Sequence, residues 1–109
     1  MTIMDAIQAR HSVRSYRAMD IPGDALSRLQ ADVEACNREG SLHIQLITQE
    51  PKAFSGFMAH YGKFSGVQNY MALIGKKSDD LEMKLGYYGE RLAILAQRLG
   101  LNTCWVAMT

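Results

Sequence analysis

Apolar residues recur along this chain at two different periods, and the switches between them mark its elements. Ile3, Met4 and Ile7 fall on one helical face. Thr2, with Asp5 three positions on, has the form of a capping box, which predicts a short helix over 2–10. Asp20-Ile21-Pro22-Gly23-Asp24 is a helix-start signal, followed at helical spacing by Leu26, Leu29, Val33 and Cys36. The spacing predicts a helix over about 23–38 with Gly40 as its stop. Leu42-His43-Ile44-Gln45-Leu46 alternates apolar with polar and continues into Ile47-Thr48, a half-buried strand that Pro51 ends. Residues 51–68 are rich in glycine and aromatics and predict a short helix over 52–59 and then a loop. Asn69-Tyr70-Met71-Ala72-Leu73-Ile74-Gly75 is mostly apolar and predicts a central strand.

The strongest pattern comes next. Leu81, Leu85, Tyr88, Leu92, Leu95 and Leu99 recur at steps of four and three, an apolar stripe down one long helix. Ser78 starts this helix, Asp79, Asp80 and Glu82 favour its positive end, and Gly100 ends it. Gly86 and Gly89 lie inside it, where each costs about 1 kcal/mol relative to alanine. Both are therefore expected to admit a close neighbour. Thr103-Cys104-Trp105-Val106-Ala107 reads as a last strand. Helices and strands in this order predict an α/β or α+β domain with a small sheet and one long buried helix.

Length and charge narrow the class. The 109 residues suffice for one small domain. A net charge of +1 creates no global field that favours nucleic acid or an anionic membrane. No apolar run has transmembrane length, and the start lacks a signal-peptide pattern, so the expected location is cytoplasmic. Cys36 and Cys104 have no metal-binding spacing and read as reduced core cysteines. His11, His43 and His60 are not spaced as metal ligands, so no metal site is expected. The seven methionines are scattered and read as core filler.

Candidate chemistry concentrates in Arg10-His11-Ser12-Val13-Arg14-Ser15-Tyr16-Arg17, a basic stretch without an acid. Arg10, Ser12 and Arg14 alternate, so in extended backbone they point the same way. Guanidinium forks match phosphate oxygens in charge and geometry, and a serine adds a short hydrogen bond. A phosphate clamp and a solvated basic loop both fit this stretch. Glycine-rich nucleotide loops and a GxSxG nucleophile elbow are absent from the sequence. Cys104 beside Trp105 reads as buried and inert. The leucine stripe fits a core helix, and its spacing also fits a dimer seam. In Gly86-Tyr87-Tyr88-Gly89-Glu90, Tyr88 joins the stripe while Tyr87 and Glu90 share a neighbouring face. A buried Glu90 would suit orientation of a backbone or a partner subunit, and a surface Glu90 an ion pair with Arg91 or another base.

Together these pieces resemble the FMN-dependent nitroreductase family. In that family a short N-terminal helix runs into an Arg-x-Ser-x-Arg/Lys segment, here Arg10-His11-Ser12-Val13-Arg14. The run 69–75 resembles the family's central strand. Gly86-Tyr87-Tyr88-Gly89-Glu90 through Leu99-Gly100-Leu101-Asn102-Thr103-Cys104-Trp105-Val106 resembles the long helix and following strand of a nitroreductase subgroup. The resemblance implies an α+β fold with a small mixed sheet packed by helices. It implies FMN as cofactor, held at its phosphate by Arg10, Ser12 and Arg14, with His11 in the same segment and Lys63 as an extra flavin contact. It also implies NAD(P)H as electron donor, a nitroaromatic or quinone-like small molecule as acceptor, and a homodimer. No side chain is expected to act as nucleophile, so no catalytic residue is assigned.

The chain departs from the family in two places. Asn37-Arg38-Glu39-Gly40 stands where the family commonly has Asn-x-Gln-Pro-Trp. Family members also continue past the strand that matches 103–107, so 1–109 is expected to be a single domain lacking the family's C-terminal part. These departures motivate an alternative: a shortened, non-catalytic α+β domain that mainly self-associates.

Overall fold

The computed structural model describes residues 1–16, 19–50 and 66–106. Its elements in chain order are helices α1 (Ile3–Ala9) and α2 (Gly23–Gly40), strands β1 (Gln45–Ile47) and β2 (Tyr70–Ala72), and helix α3 (Leu81–Arg98). This is an α+β arrangement of helices around a small antiparallel sheet. The helix expected over 52–59 lies outside the described residues.

Helix α1 begins as its sequence predicts. Thr2 Oγ1 accepts from the Asp5 backbone N–H at 3.0 Å, and the Asp5 carboxylate accepts from the Thr2 N–H at 3.1 Å. These bonds, the backbone one foremost, hold the Asp5 carboxyl below its usual range. The apolar face does not pack inward as periodicity suggests. Ala6 is fully buried, while Ile3, Met4 and Ile7 are 55%, 63% and 49% exposed. A seven-residue helix lying close to α3 has room beneath it only for a small side chain.

Helix α2 buries Ala25, Leu29, Val33 and Cys36 along one stripe. Gly40 does not stop it from outside; it is the last helical residue, and Ser41 turns the chain with φ 54°. Gly40 is small for a packing reason. A Cβ there would lie 2.6 Å from the Tyr88 ring and 3.1 Å from Leu42. Asn37 then ties the helix end to the sheet. Its side-chain amide donates to the Ile44 carbonyl at 3.0 Å, and its oxygen accepts from the Ile44 N–H at 2.7 Å. A side chain thus satisfies the backbone groups that a strand neighbour would otherwise take.

β1 and β2 pair antiparallel, Gln45 with Ala72, Leu46 with Met71 and Ile47 with Tyr70. A bridge between Leu42 and Gly75 continues the same register. Leu42 and Ile44 are buried and His43 and Gln45 exposed, as their alternation predicts. The register slips by one beyond Gln49 (φ 57°), where the Glu50 N–H donates to the Gln68 carbonyl. Among the described residues, β2 does not have the cover on both sides that its apolar run suggests. Among the described residues β1 is its one neighbour, its residues are only half-buried, and Ile74 beyond it is 44% exposed.

The core joins Val33 and Cys36 of α2, Leu42 and Ile44 leading into β1, and Leu92 of α3. Leu81, Leu85 and Tyr88 pack against it, so the leucine stripe of α3 is core-facing over this stretch. Asp80 occupies the N-cap position of α3 without a capping bond to the helix; its carboxylate accepts from Ser78 Oγ at 2.8 Å. Gly100 (φ 81°) ends the helix in a Schellman turn, with Leu101 N–H on the Ala96 carbonyl and Gly100 N–H on that of Gln97. Arg91 clasps α3 to α2, making two hydrogen bonds to Asp32 and one, at 2.9 Å, to Glu39. Such a half-exposed, bidentate pair contributes about 1 kcal/mol at most.

The two α3 glycines differ. A Cβ on Gly89 would lie 2.5 Å from the Trp105 ring and 3.0 Å from Leu73, whereas one on Gly86 would meet nothing within 4 Å. The expected close neighbour exists at Gly89 and not at Gly86. Gly86→Ala should therefore raise stability by about 0.5–1 kcal/mol through helix propensity. Gly40→Ala should lower it by about 1–3 kcal/mol through overpacking. Urea unfolding followed by circular dichroism reads both; equal responses would contradict this packing.

Candidate functional site

The basic segment leaves α1 at Arg10, which takes an extended conformation (ψ 132°) and so ends the helix. It then crosses the C-terminal stretch. Ser12 forms a parallel bridge with Thr103, and the Val13 N–H donates to the Thr103 carbonyl at 3.1 Å. The expected strand at 103–107 is present among the described residues as this single bridge, and Ala107 lies outside them.

Arg10 is held rather than free. Its Nη1 donates to Thr103 Oγ1 at 3.2 Å, its Nε lies 3.4 Å from a Glu90 carboxylate oxygen, and its side chain is only 18% exposed. Ser12 and Arg14 are exposed, as is His11, whose Nδ1 is 3.1 Å from the Ala9 carbonyl. Lys63 lies outside the described residues. Glu90 pairs with Arg10 rather than with its neighbour Arg91, which is taken by Asp32 and Glu39. The second oxygen of Glu90 accepts from the Trp105 indole N–H at 3.2 Å.

Tyr16 closes the segment. Its hydroxyl donates to the Val13 carbonyl, and burial, with a lesser push from Cys104, moves the phenol up to about 12 against the opposing charges of Arg10 and Arg14. Gly66 (φ 73°) lies against the Tyr16 backbone, where a Cβ would overlap the carbonyl oxygen. Gln68 donates to Asp20 at 3.0 Å and fastens the same region. Cys104 is half-buried, not fully buried as expected, with its Sγ 3.4 Å from the Trp105 carbonyl oxygen. Cys36 is a buried free thiol, and burial pushes its pKa up.

A groove of about 730 Å³ runs between α1, α2 and α3. Ile3, Tyr87, Ile94 and Leu95 supply apolar walls, and Arg28 and Arg98 supply charge. Glu90 also lines it, so the carboxylate that holds Arg10 faces the groove as well. Tyr87 is 68% exposed and sets its ring edge-on to that of Tyr88, which turns toward the core.

A helix running into an arginine–serine–arginine segment, and a long helix with the stretch after it, are the pieces set out above for nitroreductases, and here the structure pins the two together. A family model described as "Putative TM nitroreductase" matches residues 2–109. The chain belongs to this nitroreductase family. No curated protein and no solved structure matches it significantly. Membership points to oxidoreductase chemistry of nitroreductase type. Among the described residues, no helix of this nitroreductase-family chain is long and apolar enough to cross a membrane.

Sequence reasoning placed Arg10, Ser12 and Arg14 together but not the groups that fix Arg10. Thr103 and Trp105 are far from Arg10 in the chain and carry no local signal of it; for Glu90 the sequence offers an ion pair with Arg91 or another base, and in the structure that base is Arg10. The Tyr16 phenol offers a test of this geometry. With its folded pKa near 12 and an ordinary value of 10, the folded state keeps a proton that the unfolded state loses between those values. This contribution is fully present below pH 10 and disappears as pH rises toward 12. Tyr16→Phe should therefore flatten the fall of denaturation midpoint over this window. An unchanged slope would place Tyr16 in solvent.

Proposed function

We propose that the chain is an FMN-dependent NAD(P)H oxidoreductase that reduces nitroaromatic or quinone-like acceptors. The observation that carries this reading is the donor set after α1, in a chain matched by a nitroreductase family model from residue 2 to residue 109. Arg10 has two edges engaged, leaving Nη2 without a partner among the described residues. Arg14 is exposed and makes no ion pair among the described residues, and Ser12, which lies between the two arginines in sequence, is exposed as well. Two guanidiniums and a hydroxyl fit a phosphate monoester dianion in charge and donor count. Arg10, Ser12 and Arg14 would hold the FMN phosphate, with His11 and Lys63 as further contacts. When FMN is bound, the redox chemistry is its own, passing reducing equivalents from NAD(P)H to the acceptor. The chain supplies anchorage and electrostatics.

A homodimer belongs to the same proposal. Ile3, Met4, Ile7 and Tyr87 expose apolar surface along one side of α1 and α3, and a second copy would cover it. That exposed surface is also what favours the second reading, a non-catalytic domain that mainly self-associates. A cytoplasmic setting is proposed as well, supported by two unpaired cysteines.

Purified protein supplied with FMN should retain flavin absorbance and oxidise NAD(P)H, and Arg10→Ala with Arg14→Ala should lose the flavin. Flavin retained undiminished by that variant would remove the phosphate assignment. A colourless wild-type protein that sediments as a dimer would favour the second reading, and a monomer at high concentration would overturn the dimer.

A further inference from the structure

Two residues from distant parts of the chain, Glu90 and Thr103, meet at the Arg10 guanidinium. Arg10 at the end of α1 places Nε 3.4 Å from Glu90 Oε1 and Nη1 3.2 Å from Thr103 Oγ1. Glu90 is in turn held from its other side, where Oε2 accepts from Trp105 Nε1 at 3.2 Å. The indole reaches this position because residue 89 is glycine; a Cβ there would stand 2.5 Å from its Cη2. Thr103 is itself fixed by its bridge to Ser12. Arg10 therefore has Nε and Nη1 committed to partners on two different elements, and Nη2, without a partner among the described residues, is the donor left for a ligand.

Building on the phosphate reading above, we infer that Glu90 is a positioning residue for Arg10 in anion binding, and that Trp105 acts through it. A long flexible side chain at a helix end must lose rotamer freedom when it binds a phosphate oxygen. Glu90 and Thr103 impose that order beforehand, so the ligand meets an Nη2 donor already set. The same carboxylate also places a negative charge near the anion, which acts in the opposite direction. Positioning and charge repulsion thus predict opposite signs on removal of Glu90. Positioning prevails here because the carboxylate is half-exposed and screened, while the Arg10 side chain is largely covered.

The test uses the full chain with two probes, FMN followed by flavin fluorescence and inorganic phosphate followed by calorimetry. Glu90→Ala should weaken both by about fivefold or more, as coupled residues do. Glu90→Gln keeps one acceptor oxygen without the charge and should retain more affinity than the alanine variant. Trp105→Phe keeps a ring against Gly89 but loses the N–H; it should weaken binding in the wild-type background and add nothing to Glu90→Ala. Trp105 is the only tryptophan in the chain, so its emission reports directly on this cluster. Inorganic phosphate should change that emission in the wild type and leave it unchanged in Glu90→Ala. Tighter binding by both Glu90 variants would overturn positioning in favour of repulsion. Binding that Arg10→Ala abolishes but Glu90→Ala leaves unchanged would overturn the role of Glu90 alone. Wild-type protein that binds neither probe would overturn the phosphate reading, and this proposal with it.

Discussion

Burial of Leu92 against Val33, Cys36, Leu42 and Ile44 is the contact on which the remaining geometry depends. A fully buried leucine contributes about 1.5–3 kcal/mol of transfer free energy. Its position matters as much as its energy. Leu92 sets the rotation of α3 about its axis, and that rotation turns Tyr88 toward the Gly40 end of α2. On the same helix it aims Gly89 and Glu90 at the C-terminal stretch and Arg91 at Asp32 and Glu39. One helix thereby registers α2, the sheet and the basic segment against each other.

Glycine and asparagine carry out much of this registration. Gly40 and Gly89 are small because an aromatic ring occupies the space a Cβ would take. Asn37 supplies an amide where Ile44 needs a backbone partner, which lets a short sheet end against a helix without unpaired groups. Its bonds here are to the chain's own backbone.

The candidate site has a division of labour. Ser12 and Arg14 are exposed on a segment whose backbone is fixed by the Thr103 bridge. Arg10 is covered and held by side chains. A phosphate ligand, if bound as proposed, would meet one rigid donor and two adaptable ones. The groove walled by Ile3 and Tyr87 opens beside the same carboxylate, so Glu90 faces both the groove and Arg10.

Local patterns decided what could be decided locally. The Thr2–Asp5 capping box, the left-handed Gly100, the alternation through Leu42 and Ile44 and the leucine stripe of α3 are each set by bonds or periodicities a few residues long. They therefore stood in the sequence, as did the basic segment and the resemblance it carried. What the sequence left open depended on contacts across the chain. Periodicity could not reveal that α1 would turn Ile3, Met4 and Ile7 outward, or that β2 would have only β1 beside it among the described residues. Nor could it separate Gly86 from Gly89, two helical glycines three residues apart, because the difference is the Trp105 ring arriving from elsewhere. The arginines were legible as a cluster of charge. Their setting was not, since Glu90, Thr103 and Trp105 reach Arg10 only once α3 has packed, and packing is a property of the whole core rather than of any one segment.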